Sequence, residues 1–208
     1  MRLAEVVFFF DPGCPWAWLA TVRLREAAMR CNARIAWRPI LALKVDAALG
    51  TSRPSPAESA YLPRDLVDWA HFCGVVVRRS ERLPAAVAAR AVAAGVAIGG
   101  AVAPFVEAIF SAGSGGHAEI NSRALLLELA AATGLDAEAR ALALDDPRSQ
   151  AAIEDNTAAL IASGGFGSAT MVIGDRLFCG NARMPLVELA LTRAGDRPLI
   201  IPGSHGQT

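Results

Sequence analysis

Cys14 is the residue of this 208-residue chain whose surroundings most favour chemistry. It follows an apolar run, Val6-Val7-Phe8-Phe9-Phe10, and a breaker, Asp11-Pro12-Gly13. It precedes Pro15-Trp16-Ala17-Trp18. An apolar run of this length reads as a buried strand, and Pro15 suits the first position of a helix, where its missing N–H costs nothing. Cys14 then occupies the helix N-cap. There the macrodipole and unpaired backbone N–H groups favour the thiolate, so the expected pKa lies below the ~8.5 of a free thiol. Open α/β sheets bind ligands outside the carboxyl ends of their strands, where this cysteine falls. A small buried hydrophobe at a strand–helix junction fits the same residues, and both readings stay open. Ala17 stands where a CxxC motif has its second cysteine. No dithiol cycle can run within the motif, which leaves monothiol chemistry.

The other reactive residue types are scattered. Cys31, Cys73 and Cys179 have apolar neighbours and read as small buried hydrophobes. No cysteine or histidine spacing suits a metal, so no metal is expected. His71 reads as a helix residue, His117 lies in a glycine-rich loop and His205 in the tail. Trp16 follows the helix start and is expected to line the pocket, with Trp18, Trp69 and Phe72 in the core. Trp37 and Arg38 border the second strand; Arg38 either holds a substrate carboxylate or lies on the surface. Tyr61 and Asp65 stand i, i+4 on a helix and read as a structural pair.

The elements that must position Cys14 follow from periodicity and breakers. Residues 5–10 read as a strand, 15–30 as a helix and 33–41 as a second strand. Residues 43–56 are polar, end in Gly-Thr-Ser-Arg-Pro-Ser-Pro and read as a loop. From 57 to about 163 the periodicity is helical, broken at Pro63, Gly74, Pro84, Gly99-Gly100, 113–116, Gly134 and Pro147. Asn121-Ser122 and Asp145-Asp146-Pro147 are helix-start signals. Strand signals return in Thr170-Met171-Val172-Ile173 and Arg176-Leu177-Phe178-Cys179, joined by a Gly-Asp turn. Residues 184–194 read as a last helix, and the tail from Pro198 as frayed. The predicted order is β-α-β, a helical block, then β-β-α. It divides the chain into 1–56 with 164–208, and an insertion over 57–163.

Composition excludes several classes. The formal net charge is zero, 53% of residues are hydrophobic and 19% charged, so the chain is not disordered. Balanced charge gives no reason to expect nucleic acid or an anionic membrane as partner. No run reaches the ~18–20 apolar residues of a membrane span; residues 92–105 contain glycines and a proline. The short apolar run after Met1 is too brief for a secretory signal, so a cytoplasmic protein is expected.

The element order, with a redox-type residue after the first strand, is the thioredoxin-like α/β arrangement. The helical block between the halves resembles that of DsbA-like proteins. Within that group the chain resembles the 2-hydroxychromene-2-carboxylate isomerase and kappa-class glutathione transferase family. Four patches carry this: Phe10-Asp11-Pro12-Gly13-Cys14-Pro15-Trp16-Ala17-Trp18-Leu19-Ala20; Trp37-Arg38-Pro39-Ile40-Leu41; the Y-x-x-x-D-x-x-x-W-A pattern from Tyr61 to Ala70; and Asn156-Thr157, Phe166-Gly167-Ser168-Ala169-Thr170 with Phe178-Cys179-Gly180-Asn181-Ala182-Arg183. The resemblance implies an isomerase or transferase that uses glutathione or another low-molecular-weight thiol at Cys14, without a metal. It implies thiol contacts from Pro15, Trp16, Asn156, Ser168, Ala169 and Asn181, and substrate contacts from Trp37, Arg38 and Tyr61. The implied partners are the small-molecule thiol, a small organic substrate and a second copy, as a homodimer.

The departures from the family pattern are specific. Cys14 replaces a serine, Ser168-Ala169 replaces Val-Pro, Ala182 replaces an aspartate and Glu58 stands where a lysine is frequent. The missing proline leaves the Ser168–Ala169 peptide either strained cis or trans, and trans is the expectation, because cis non-proline bonds cost ~2.5–4 kcal/mol. The opening Phe-Asp-Pro-x-Cys-Pro-Trp also resembles actinobacterial DsbA-like proteins that work with mycothiol. Two alternatives therefore accompany the isomerase: a monothiol disulfide oxidoreductase linked to glutathione or mycothiol, and a non-catalytic binding protein on the same scaffold.

Overall fold

The computed structural model describes residues 3–50, 54–136 and 144–195. Residues 51–53 of the expected loop, and the tail from Pro198 with His205, lie outside them. Strand β1 (Ala4–Phe10) leads into helix α1 (Pro15–Cys31) and strand β2 (Ala33–Pro39). Six helices follow among the described residues: α2 (Ala42–Leu49), α3 (Pro56–Phe72), α4 (Ala86–Ile98), α5 (Val102–Gly113), α6 (Arg123–Ala132) and α7 (Pro147–Ala162). Strands β3 (Thr170–Ile173) and β4 (Arg176–Cys179), a 3-10 turn (Asn181–Arg183) and α8 (Met184–Ala194) complete the order. This is the expected thioredoxin-like α/β fold with a helical insertion.

The sheet order is β2-β1-β3-β4. β1 runs parallel to β2, with Phe8 opposite Trp37, and antiparallel to β3, with Phe8 opposite Met171. Alternation along β1 sends Val6, Phe8 and Phe10 into the main core. Phe9 packs on the other face with Ile40, Val45 and Leu160. A strand buried on both faces needs a continuous apolar run, which β1 has. The β3–β4 hairpin turns at Gly174, whose φ of +61° suits glycine.

The main core joins the sheet to the insertion. Phe10 meets Phe110 of α5 with ring centroids 6.2 Å apart, and Trp18 of α1 stacks on the same ring at 6.4 Å. Phe105, Val106 and Val92 extend the cluster.

The predicted helix starts hold where a cap is present. Ser122 accepts from the Leu125 N–H and Asp146 from the Arg148 N–H. Three expectations are corrected. The loop at 43–56 contains α2, which the packing of Val45 against Phe9 and Ile40 holds in place and Gly50 ends at φ +62°. Pro63 does not break α3; the Ser55–Glu58 capping box starts that helix, and Pro63 is exposed, where water can replace the missing donor. Phe72 is 69% exposed and Trp69 half-buried, because α3 buries only Leu66 and Ala70.

Candidate functional site

Cys14 is the N-cap of α1, extended at φ −96° and ψ 114°, with Pro15 as the first helical residue. Its carbonyl accepts from the Ala17 and Trp18 N–H groups at 2.9 and 3.3 Å. Its thiol caps nothing. The preceding turn is fixed by Asp11, which is buried. One Asp11 oxygen accepts from the Gly13 N–H at 2.8 Å and the other from the Ala42 N–H, the first of α2, at 2.9 Å. The Asp11 N–H donates to Ser168 Oγ at 2.9 Å. One buried carboxylate residue thus joins the cysteine turn, α2 and the loop before β3. Its sequence signal was an aspartate at a strand end before Pro-Gly, the setting of an Asx turn.

The expected lowering of the Cys14 pKa is overturned. Burial pushes the thiol above its ordinary value, and the charge of Asp11 adds to the rise. Backbone hydrogen bonds at Ala17 and Trp16 and the charge of Arg82 oppose it without prevailing. Desolvation outweighs the helix end because the residue is only 5% exposed. Asp11 is likewise pushed up by burial, against the pull of its two amide donors and Arg82. The insertion packs against the turn that carries Cys14. The Leu83 N–H donates to the Gly13 carbonyl at 2.8 Å, and Arg82 pairs with Asp46 of α2 at 2.9 Å.

Ser168 and Ala169 lie beside this turn. Their peptide bond is cis, against the trans expectation. The segment is fixed from both sides: Ser168 Oγ accepts from Asp11, and the Ala169 carbonyl accepts from the Gly180 N–H at 2.9 Å.

Asn156 and Arg38 form a second group at the end of β2. Asn156 Nδ2 donates to the Pro39 carbonyl at 3.0 Å, and its Oδ1 accepts from Arg38 Nη1 at 3.3 Å. Trp37 turns inward and meets Phe8 and Phe10 edge-on. Asn181 is buried, and its carbonyl and Oδ1 accept from Arg23 Nη1 at 2.9 and 3.2 Å. Its Nδ2 is buried without a partner. The Arg23 guanidinium also lies 5.2 Å from the Trp69 ring centre and 5.4 Å from that of Phe72. Nothing in the α1 pattern singled out Arg23. Trp16 is half-buried and packs beside Leu19, Leu66 and Ala70. Tyr61 is 60% exposed; its hydroxyl bonds to Asp65, which raises the phenol pKa. The structure therefore brings Cys14 and Pro15 to Ser168 and Ala169, and Arg38 to Asn156. Tyr61 has no hydrogen bond to any of them.

Cys31 is buried and half-exposed Cys73 caps the end of α3; Cys179, also only partly buried, closes β4. The His117 Nδ1 and carbonyl accept from Arg79. Among the described residues no group of three His, Cys, Asp or Glu side chains is placed to hold a metal. Among the same residues no helix is long and apolar enough to cross a membrane.

Comparison with known proteins agrees with this geometry. Residues 5–192 match the family model described as the DSBA-like thioredoxin domain. A 2-hydroxychromene-2-carboxylate isomerase from Pseudomonas putida is 28% identical over 195 residues, covering 90% of this chain and 94% of the relative. A solved 2-hydroxychromene-2-carboxylate isomerase superposes with a TM-score of 0.75 at 28% identity, over 91% of this chain and 95% of that one. The cytosolic disulfide reductase DsbM from Pseudomonas aeruginosa, solved with GSH, shares the fold. Its TM-score is 0.63 at 22% identity, over 91% of this chain and 96% of that one.

Proposed function

The chain belongs to the DSBA-like thioredoxin domain family, and from that premise we propose that it is a thiol-dependent isomerase or transferase. Its substrate class is that of the isomerase relative, a small conjugated carboxylate. Its cofactor is glutathione or another low-molecular-weight thiol, held at the N-terminus of α1. The reading carries with it a homodimer, as the family resemblance implies, and a cytoplasmic location.

The observation that supports it is the state of Cys14. A buried thiol with a raised pKa is neutral near pH 7 and a poor redox nucleophile. A neutral S–H can still donate a weak hydrogen bond, the part played by the family's serine. The residues present fit a thiol at this point, because the Cys14 thiol caps nothing in the protein. A bound thiol supplies the sulfur that adds reversibly to a conjugated substrate, so that a bond can rotate without net oxidation. Cys14 donates toward that sulfur, Asp11 holds the turn that aims Cys14, and the Ser168–Ala169 segment borders the same turn. Arg38, beside Asn156, is offered as the partner of the substrate carboxylate. Trp16 and Tyr61 are assigned to the binding surface, and the inward-turned Trp37 and buried Asn156 and Asn181 to the walls behind it.

The test is Cys14→Ser, assayed for glutathione-dependent isomerisation of 2-hydroxychromene-2-carboxylate. Activity within about threefold of the parent is expected, since a hydroxyl replaces one weak donor with a better one. Loss of isomerisation in Cys14→Ser alone would overturn the donor role given to Cys14, and disulfide reduction that depends on Cys14, with no isomerisation in the parent, would overturn the reading in favour of a monothiol oxidoreductase. Absence of turnover in both proteins would favour a non-catalytic binding protein. Intact mass after incubation with oxidised glutathione or oxidised mycothiol is the companion measurement. No adduct at Cys14 is expected below about pH 8.

A further inference from the structure

The turn that carries Cys14 is crossed by a segment distant in sequence, whose Leu83 and Ala85 share a buried cluster with Cys14. Between α3 and α4 the chain runs without helix or strand through residues 75–85. Its last residues cross the cysteine turn. The Leu83 carbonyl approaches Gly13 so closely that a Cβ there would lie 2.0 Å from it, and the Ala85 side chain would lie 3.0 Å away. The Leu83 N–H bonds to the Gly13 carbonyl at 2.8 Å. The Leu83 side chain reaches Gly113 at the end of α5. Two polar ties hold the ends of this crossing. Arg82 Nη1 meets Asp46 Oδ2 at 2.9 Å, and Asn121 Nδ2 donates to the Pro84 carbonyl at 3.0 Å. Both members of the first tie are about one-third exposed.

We propose that residues 82–85 are a strap over Cys14, latched by the Arg82–Asp46 ion pair, and that the thiol is reached only when this strap lifts. The strap rests on one backbone hydrogen bond to the cysteine turn, two buried apolar residues, Leu83 and Ala85, and ties that water can replace. A partly exposed ion pair contributes little and is screened by salt, so the latch is a weak one. Lifting the strap leaves β1 and α1 in place, because neither takes its own hydrogen bonds from it. The inference is independent of the reaction, since it concerns access to Cys14 alone.

The test is the rate at which dilute iodoacetamide alkylates each cysteine, read by peptide mass mapping at constant pH. Cys31, buried at the far end of α1, reports global opening within the same molecule. Arg82→Gln is expected to raise the Cys14 rate about 2–5-fold, the range of a partly exposed ion pair, and to leave Cys31 unchanged. The substitution separates opening from charge. Removing Arg82 takes away a cation that favours the thiolate, so charge alone would slow the reaction. A slower or unchanged Cys14 rate overturns the proposal, as does a parallel rise at Cys31. Raising NaCl from about 0.05 to 0.5 M should speed Cys14 in the parent and not in Asp46→Asn, as expected if screening acts on the latch. Equal salt effects in both proteins would also overturn it.

Discussion

At Cys14 two opposing effects meet, and burial decides between them. The helix end contributes through partial charges that fade within a turn, whereas desolvation acts on the whole thiolate. Two titrations follow. The raised folded pKa of Cys14 means that its stabilising contribution is complete below the unfolded thiol value of ~8.5 and is lost as pH rises through the folded value. Asp11 obeys the same sign at acid pH, opposite to a salt-bridged carboxylate. Its contribution is present below about pH 4 and is lost as pH rises through the raised value. Urea unfolding against pH should therefore show the parent losing stability relative to Asp11→Asn from about pH 4 upward. Asp11→Ala should cost about 2 kcal/mol or more at any pH, since it leaves the Gly13 and Ala42 amides without their acceptor. The sequence made Cys14 and its N-cap position legible, through Pro-Gly-Cys-Pro after an apolar run. It did not reveal the direction of the thiol shift, because Leu83 and Ala85, which share a buried cluster with Cys14, lie about 70 positions further on.

Among elements, those set by local chemistry were read nearly to the residue. The β3–β4 hairpin, the Ser122 and Asp146 caps and α8 each carry their own signal. The misread elements depend on partners. Helix α2 buries only Ala42 and Val45 and is held by Val45 and by the Asp11 carboxylate, neither of which shows as periodicity. Phe72 follows a helical pattern yet stays largely exposed, because α3 buries only Leu66 and Ala70, and the Arg23 guanidinium of α1 meets the Phe72 ring at the surface. Asn156 matched the family's pattern; its bond to the Pro39 carbonyl, which ties α7 to the end of β2, was not visible until the chain folded. Asn156→Ala should destabilise by about 1–3 kcal/mol by leaving a buried carbonyl unpaired, measured by denaturant midpoint. Gly13 tests the crossing of the cysteine turn and the insertion. Gly13→Ala places a Cβ against a backbone oxygen that has no flexible end to yield. The expected loss is about 1–3 kcal/mol, with faster alkylation of Cys14.

Considered as a whole, the molecule joins sheet and insertion through one shared core. We propose that the division into 1–56 with 164–208, and 57–163, is one of chain order, with both parts melting together. Phe8 and Phe10 share one core with Phe105 and Phe110. A single calorimetric transition is expected, and Phe110→Ala should lower the stability of the whole chain by about 3–5 kcal/mol without creating a second transition. Two resolved transitions in the parent would refute this. The fold class was legible from element order alone, since β-α-β and β-β-α halves admit few arrangements. The shared aromatic core was not, because helical periodicity shows that α5 has an apolar face without showing which strand it meets.

The place of β1 in the sheet also sets a timetable for synthesis. Its parallel partner β2 leaves the ribosome soon after it, but its antiparallel partner β3 begins only at Thr170. Through the synthesis of the whole insertion, Val7, Phe8 and Phe9 present an open pairing edge rich in apolar side chains, the kind of edge that recruits other strands. A nascent chain that pairs β1 with β2 would therefore carry β1 half-paired until Thr170 is made. A ribosome that stalls before β3 would release a chain prone to aggregate, whereas one that stalls after β4 would release a chain whose sheet is already complete.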